Sequence, residues 1–250
     1  MLRAAEVSQS RPFYTRFADA YDLLVDDPVE PWVEAVIDRA SAAPSSMALL
    51  DAGCGTGRHA AAFAAHGFSV TLVDASPELL ALAQRRCPRS RALLVDLCRL
   101  AEPLRFDVVA CRGVLNDLLT DDERDAALTA MARALRPGGL LFCDVREATA
   151  SRVRADESPT MTKSVPLPIG VLTFSSTSRW SEGLLLVEEE HLLEGGGASR
   201  RSRYSFAMRP WTEHEINDRC ARAGLVDVSV EPGVGHATAD RYLIRAARPR

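Results

Sequence analysis

The chain has 250 residues, 47% of them hydrophobic and 26% charged, with a net charge of −4 and a pI near 5.8. That composition suits one large globular α/β domain, or one domain with a small appendage, and it lacks the basic footprint of a nucleic-acid binder. No apolar run approaches the roughly 18 residues of a membrane span, and the opening stretch MLRAAEVSQSR lacks the apolar core of an export signal, so a cytoplasmic protein with no membrane partner is expected.

In chain order, residues 11 to 26 place Phe13, Phe17, Tyr21 and Leu24 at helical spacing, with Tyr14 one position round from that face. Phe13 and Phe17 read as core. A second helix is expected over residues 28 to 43, where Trp32, Val33, Val36, Ile37 and Ala40 make one apolar stripe, Pro31 is tolerable in the first turn and Pro44 stops it. Met47, Ala48, Leu49 and Leu50 then form a short buried strand ended by Asp51. Gly53, Gly55 and Gly57 follow at alternate positions, a turn that lets backbone approach a ligand closely. Residues 58 to 66 form the helix whose N-terminus faces that ligand.

The spacing G-x-G-x-G, with an acid two residues ahead, departs from the G-x-G-x-x-G of dinucleotide sites. An Asp before the loop repels a pyrophosphate and suits the ammonium of an amino acid. The run from Asp51 to Gly57, DAGCGTG, resembles the first motif of the class I S-adenosylmethionine-dependent methyltransferases. A second strand over 68 to 73 ends in Asp74, 17 residues past Gly57, placed to accept hydrogen bonds from ribose hydroxyls. Ser76 caps the helix of residues 77 to 86. A third strand over 91 to 95 ends at Asp96, and a fourth over 106 to 111 runs into Arg112, Gly113, Asn116 and Asp117. Thr120 and Glu123 form a capping box for a helix that closes at Arg136-Pro137-Gly138-Gly139, before a fifth strand over 140 to 144.

This series also resembles the methyltransferase family. The resemblance implies S-adenosylmethionine as cofactor and S-adenosylhomocysteine as product. It places the methyl donor against Asp51, Gly53, Gly55, Gly57, Arg58, Cys111 and Arg112, with ribose on Asp74 beside Ala75 and adenine on Asp96 and Leu97. Tyr14 and Tyr21 resemble the tyrosines of an N-terminal lid helix that covers cofactor and lines the acceptor pocket, with core packing as the alternative. Tyr14, Asn116 and Asp117 are the expected acceptor contacts, and Asp117, beyond the fourth strand, is the expected catalytic residue, holding an acceptor ammonium and then taking its proton. The alternative for Asp117 is a cap of the helix near Thr120. The Asp/Asn-Pro-Pro-aromatic motif of exocyclic-amine nucleic-acid methyltransferases is absent after the fourth strand.

Beyond residue 145, three alternating stretches, 170 to 180, 184 to 193 and 200 to 208, joined at Glu182-Gly183 and Gly195-Gly196-Gly197, predict an antiparallel meander. Glu188, Glu189 and Glu190 face Arg200, Arg201 and Arg203 on the next strand, which reads as ion pairing on a solvated face, with an anionic substrate site as the alternative. Thr212 and Glu215 open a further capped helix ending at Gly224, and strands over 225 to 230 and 241 to 246 close the chain.

The expected fold is therefore a Rossmann-like, mostly parallel seven-stranded sheet with helices on both faces, plus an inserted antiparallel sheet. Three segments follow: lid and cofactor-binding core over 1–144, a roof over the acceptor pocket over 145–210, and a helix and strands over 211–250 that complete the core. The arrangement resembles glycine, amino-sugar and peptide N-methyltransferases of natural-product pathways. An amine of a small molecule or short peptide is the expected acceptor, with O-methylation or non-catalytic S-adenosylmethionine binding as alternatives, in a monomer or homodimer. The six cysteines include no C-x-x-C pair and read as reduced, and no metal is expected. Asp121 and Asp122 sit in the first turn of a capped helix, where the dipole favours anions.

Overall fold

A computed structural model describes residues 3–40, 47–102 and 105–250. A seven-stranded sheet runs in the order β10-β11-β5-β4-β1-β2-β3. Its strands are β1 Ala48–Ala52, β2 Ser69–Asp74, β3 Arg91–Leu94, β4 Phe106–Arg112, β5 Leu135–Arg146, β10 Val226–Pro232 and β11 Arg241–Ala247. β3, β2, β1, β4 and β5 pair parallel, and β11 enters antiparallel between β5 and β10. Strand order reverses between β1 and β4, so the crevice at their carboxyl ends is where such a sheet receives a ligand.

Helices cover both faces as the apolar stripes require. α3 Glu30–Ala40, α4 Arg58–Ala65 and α5 Pro77–Arg86 close one core with Trp32, Val36, Phe63, Leu49, Leu72 and Phe142. α6 Asp121–Ala134 and α8 Glu213–Arg222 close the other with Leu128, Met131, Ile216, Leu50, Val109 and Leu141. Local signals operate as read: Ser76 Oγ accepts from the Leu79 N–H, and Thr120 and Glu123 cap one another reciprocally. At α8 the box is half formed, because Thr212 accepts from the Glu215 N–H while the Glu215 carboxylate turns to Arg124, Arg209 and Arg219. The expected end of α3 at residue 43 and its stop at Pro44 lie outside the described residues.

The N-terminal segment is not one helix. α1 Ala4–Ser10 stops where Arg11, preceding Pro12, is forced extended (φ −64°, ψ 120°); turns, a 3-10 turn Ala18–Ala20 and the single turn α2 Tyr21–Leu24 follow. Phe13 and Phe17 are buried, but against Val165, Leu172, Phe174 and Leu193 of the inserted sheet rather than in the main core.

The insertion holds more than the three expected strands. α7 Ala148–Glu157 precedes a four-stranded sheet, β6 Thr160–Leu167, β7 Gly170–Ser181, β8 Leu184–Gly195 and β9 Ala198–Met208. α7 buries only Ser151 and Ala155, so no apolar stripe announces it. β6 carries Lys163 and Pro166 and lies at a sheet edge, where a missing N–H costs nothing. Chain entry and exit meet: Trp211 N–H donates to Arg146 C=O at 2.8 Å, and Ala148 N–H to Trp211 C=O at 2.9 Å. We propose that the insertion spans 147–210, close to the boundaries read from sequence.

The charged strands divide differently from the expectation. Strand alternation turns Glu190 outward to Arg201 and Arg203, whereas Glu189 points inward, is buried and pairs with Arg11. The solvated-face reading fails for Glu189 because adjacent residues in a strand cannot share a face.

Candidate active site

A cavity of about 590 Å³ opens where the carboxyl ends of the sheet strands meet the N-terminal segment and the inserted sheet. Gly53 and Gly55 leave β1 with φ of +81° and +54°, a region costly for any side chain. A Cβ on Gly55 would meet nothing within 4 Å, so its backbone is bare toward the cavity it lines, whereas one on Gly53 would overlap Val114 at 2.1 Å.

Asp74, at the end of β2, lines the cavity and is buried. Its Oδ2 accepts from the Gly55 N–H at 2.8 Å and its Oδ1 from the Ser76 N–H at 2.8 Å. The same carboxylate that faces the cavity thus fastens the glycine turn to the second strand. Burial raises its pKa, opposed by those backbone bonds. Ala75, Asp96 and Leu97 also line the cavity, with Asp96 Oδ1 accepting from the Cys98 N–H at 3.0 Å.

Four residues expected at the cofactor do not line this cavity. Gly57 packs the start of α4 against α5, where a Cβ would meet Ala83 at 2.9 Å. Arg58 donates to the carbonyls of Val25 and Asp27 and so pins the N-terminal segment. Cys111 is buried in β4 beside Cys143 of β5. Asp51 lies under the loop with Oδ2 unpartnered, its pKa pushed up to about 7 by burial and by the Asp74 charge. An open Gly55 backbone and a cavity-facing Asp74 fit a ligand that carries hydroxyls, and the buried Asp51 beneath the loop adds negative potential suited to a cationic one. That is the chemistry of S-adenosylmethionine.

The 3-10 turn Leu115–Asp117 carries two expected acceptor contacts. Asn116 is occupied by the fold: Nδ2 donates to Gly113 C=O at 3.1 Å and Oδ1 accepts from the Arg146 N–H at 2.7 Å. Asp117 lines the cavity, and among the described residues its carboxylate has no hydrogen-bond or ion-pair partner. It does not cap α6, since Thr120 does. Burial pushes its pKa up to about 6, against the pull of Arg11, Arg146 and Arg241.

Tyr14 and Tyr21 line the cavity with ring centroids 6.0 Å apart. Arg11 stacks over Tyr14 and Phe206, each at 4.4 Å, while its Nε donates to Glu189 at 3.0 Å. Arg112 also lines the cavity, but its guanidinium donates to Val234 and Gly235 carbonyls. On the same rim His236 bridges Asp27 (2.9 Å) and Asp144 (2.8 Å). Arg11, Glu189, Arg146, Arg154, His236 and Arg241 were missed in the sequence; only the two-residue period through Glu189 carried a signal.

A family model described as a methyltransferase domain matches residues 49–139. The cypemycin N-terminal methyltransferase of a Streptomyces species is 35% identical over 157 residues, 61% of this chain and 62% of that protein. CalS10, an amino pentose methyltransferase from Micromonospora echinaspora solved with S-adenosylmethionine bound, is 26% identical, with a TM-score of 0.71 over 91% of this chain and 96% of that one. The chain matches a methyltransferase domain over residues 49–139 and has the fold of S-adenosylmethionine-dependent methyltransferases. It shares its fold, at a TM-score of 0.79 and 22% identity over 92% of this chain and 93% of that one, with the sugar N-methyltransferase KedS8 from a Streptoalloteichus species. The chain spans about half the length of the curated relatives it matches. Among the described residues, no helix is long and apolar enough to cross a membrane, and no group of three or more His, Cys, Asp or Glu side chains could hold a metal.

Proposed function

We propose that the protein transfers a methyl group from S-adenosylmethionine to an amine of a small molecule or short peptide. The observation that carries this reading is the unpartnered carboxylate of Asp117 on the cavity wall. A half-buried carboxylate without a donor is costly to keep ionised, and an ammonium is the ligand that relieves it. An aromatic rim of Tyr14 and Tyr21 suits the same cation. The cypemycin enzyme and CalS10, by their names, methylate a peptide N-terminus and an amino pentose, which agrees with an amine acceptor.

When bound, S-adenosylmethionine supplies a methyl group on sulfonium, taken by the acceptor nitrogen while the C–S electron pair stays on sulfur. Asp74 would hold the ribose, Asp96 and Leu97 the adenine, and the backbone from Gly53 to Gly55 the methionyl end. Asp117 binds the acceptor as its ammonium and accepts the proton that the nitrogen must lose to expose its lone pair. Tyr14 and Tyr21 exclude water above that contact. Holding nucleophile and electrophile in line provides most of the rate in such a transfer.

Titration calorimetry with S-adenosylmethionine and S-adenosylhomocysteine, with NAD as control, tests the cofactor; micromolar binding of the first two and none of NAD is expected. Release of S-adenosylhomocysteine on matched amine and phenol panels tests the acceptor. Turnover of phenols alone would replace the amine reading with O-methylation, and binding without turnover on either would leave a sensor of S-adenosylmethionine.

A further inference from the structure

Three guanidinium groups, Arg146 at the end of β5, Arg154 on α7 and Arg241 at the start of β11, line the same cavity as Asp117. The register of the antiparallel pair sets Arg241 directly beside Arg146. Side by side, these cations are held by two carboxylates. Asp240 accepts from Arg146 and, at 2.9 Å, from Arg154 Nε, while Asp144 accepts from Arg241 Nη1 at 2.8 Å and shares itself with His236.

The donors outnumber what these acids can satisfy. Arg146 Nε and Arg241 Nε are buried and have no hydrogen-bond partner. Native structures seldom leave buried donors unpaired, and a fork of guanidinium N–H groups is matched by the paired oxygens of a carboxylate or phosphate. The three side chains are 15%, 27% and 13% exposed, so an anion reaching them leaves bulk water and meets its partners in a medium of low screening. Burial and the adjacent Arg241 charge also hold the Arg146 pKa below its ordinary value, which a bound anion would reverse. Arg146 and Arg241 line the cavity that Asp117 lines, and both act on its charge, so cationic side chains and an unpaired carboxylate border one volume. The cavity is dipolar.

Resting on the amine reading above, we propose that the acceptor carries an oxyanion, a carboxylate or a phosphate, close to its methylated amine, and that Arg146, Arg154 and Arg241 receive it. The acceptor is then zwitterionic: its ammonium sits on Asp117 and its anion against the exposed parts of the arginine cluster. Recognition of this kind rejects a neutral analogue strongly, because the analogue covers the cluster without returning a charged partner.

Matched probes test it on the full-length protein saturated with S-adenosylhomocysteine. One arm pairs free amino acids and dipeptides with their C-terminal amides. The other pairs glucosamine 6-phosphate with glucosamine. Calorimetry is expected to show at least tenfold tighter binding of the anionic member in one arm, and which arm responds identifies the oxyanion as carboxylate or phosphate. Arg154→Gln, on the most exposed of the three, is expected to erase that preference while S-adenosylhomocysteine still binds. Equal affinity within every pair, no binding across the panel, or a preference that survives in a folded Arg154→Gln protein overturns the proposal. The same pairs are then run with S-adenosylmethionine. Methylation of amines regardless of the anion sinks the oxyanion site and leaves the amine reading intact. An anion preference in binding with no methyl transfer does the reverse.

Discussion

Asp74 is a buried carboxylate with partners and Asp117 a half-buried one without, and this gives them opposite expectations under mutation. Asp117 has no partner, so its ionised form is destabilising. With a folded pKa near 6 against about 3.9 unfolded, the native state binds more protons between those values, and stability falls as pH rises through that window. Asp117→Asn should therefore raise Tm at pH 7 and leave it nearly unchanged at pH 4. The same variant should bind S-adenosylmethionine normally, lose tenfold or more in turnover of an amine, and lack the acid limb of kcat/KM expected for the wild type near pH 6. A variant with unchanged turnover and an unchanged limb assigns Asp117 to structure alone. Asp74 is the converse case. The sequence suggests a ribose ligand whose loss spares the fold, but its oxygens also hold the Gly55 and Ser76 N–H groups. Asp74→Ala should weaken cofactor binding by about 1.5 to 3 kcal/mol for each lost charge-assisted bond and also lower Tm, since two backbone donors lose their acceptor. Affinity measured by calorimetry and Tm by circular dichroism should fall together. That double role was illegible because a motif reports which residue faces a ligand and nothing of what else it binds.

At the scale of elements, the segment from Arg11 to Asp27 is a strap tied across the cavity by polar contacts from several directions. Thr56 donates to Asp22 at 2.6 Å, Arg86 to Asp22 at 2.6 Å, Ser76 Oγ to Tyr14 C=O at 3.0 Å, and Lys163 pairs with Asp26 at 2.8 Å. Each tie is modest where water reaches it. Limited proteolysis between residues 10 and 27 should be slow and slower still with S-adenosylmethionine bound; equal cleavage rates with and without it would make the strap a fixed part of the core. The sequence announces the aromatic residues of this strap but not its path, because helical spacing over Phe13, Phe17, Tyr21 and Leu24 cannot distinguish a continuous helix from the turns and 3-10 turn that carry them. Elements with strong local punctuation were legible: Ser76-Pro77, Thr120-Glu123 and Glu182-Gly183 all act where they stand. α7 and β6 were not, since neither carries an amphipathic pattern of its own.

Over the whole molecule, the alternation of strand and helix specifies the sheet, and with it the crevice where β1 and β4 diverge. The proposed cofactor side of the cavity was therefore largely readable, being built from strand ends in one contiguous half of the chain. The proposed acceptor side was not. Its charged groups come from Arg11, Arg146, Arg154, Glu189, His236 and Arg241, which only folding brings together. Buried charge also serves the fold away from the cavity: Arg124 stacks 3.9 Å from the Trp211 ring and donates to Glu215 at 2.7 Å, locking α6 to the segment that returns from the inserted sheet.

That return has an evolutionary reading. Because Arg146 and Trp211 are hydrogen-bonded neighbours, the chain between them leaves and rejoins the main sheet at adjacent points. Such a segment can be lengthened, shortened or traded between lineages without disturbing strand order, as surface insertions with adjacent ends generally can. The exchange would replace the ceiling that measures an acceptor's bulk and keep Asp117, Arg146 and Arg241 on the floor. Descendants of one ancestor would then inherit a common handle for the reacting end of the acceptor while diverging freely in what lies beyond it.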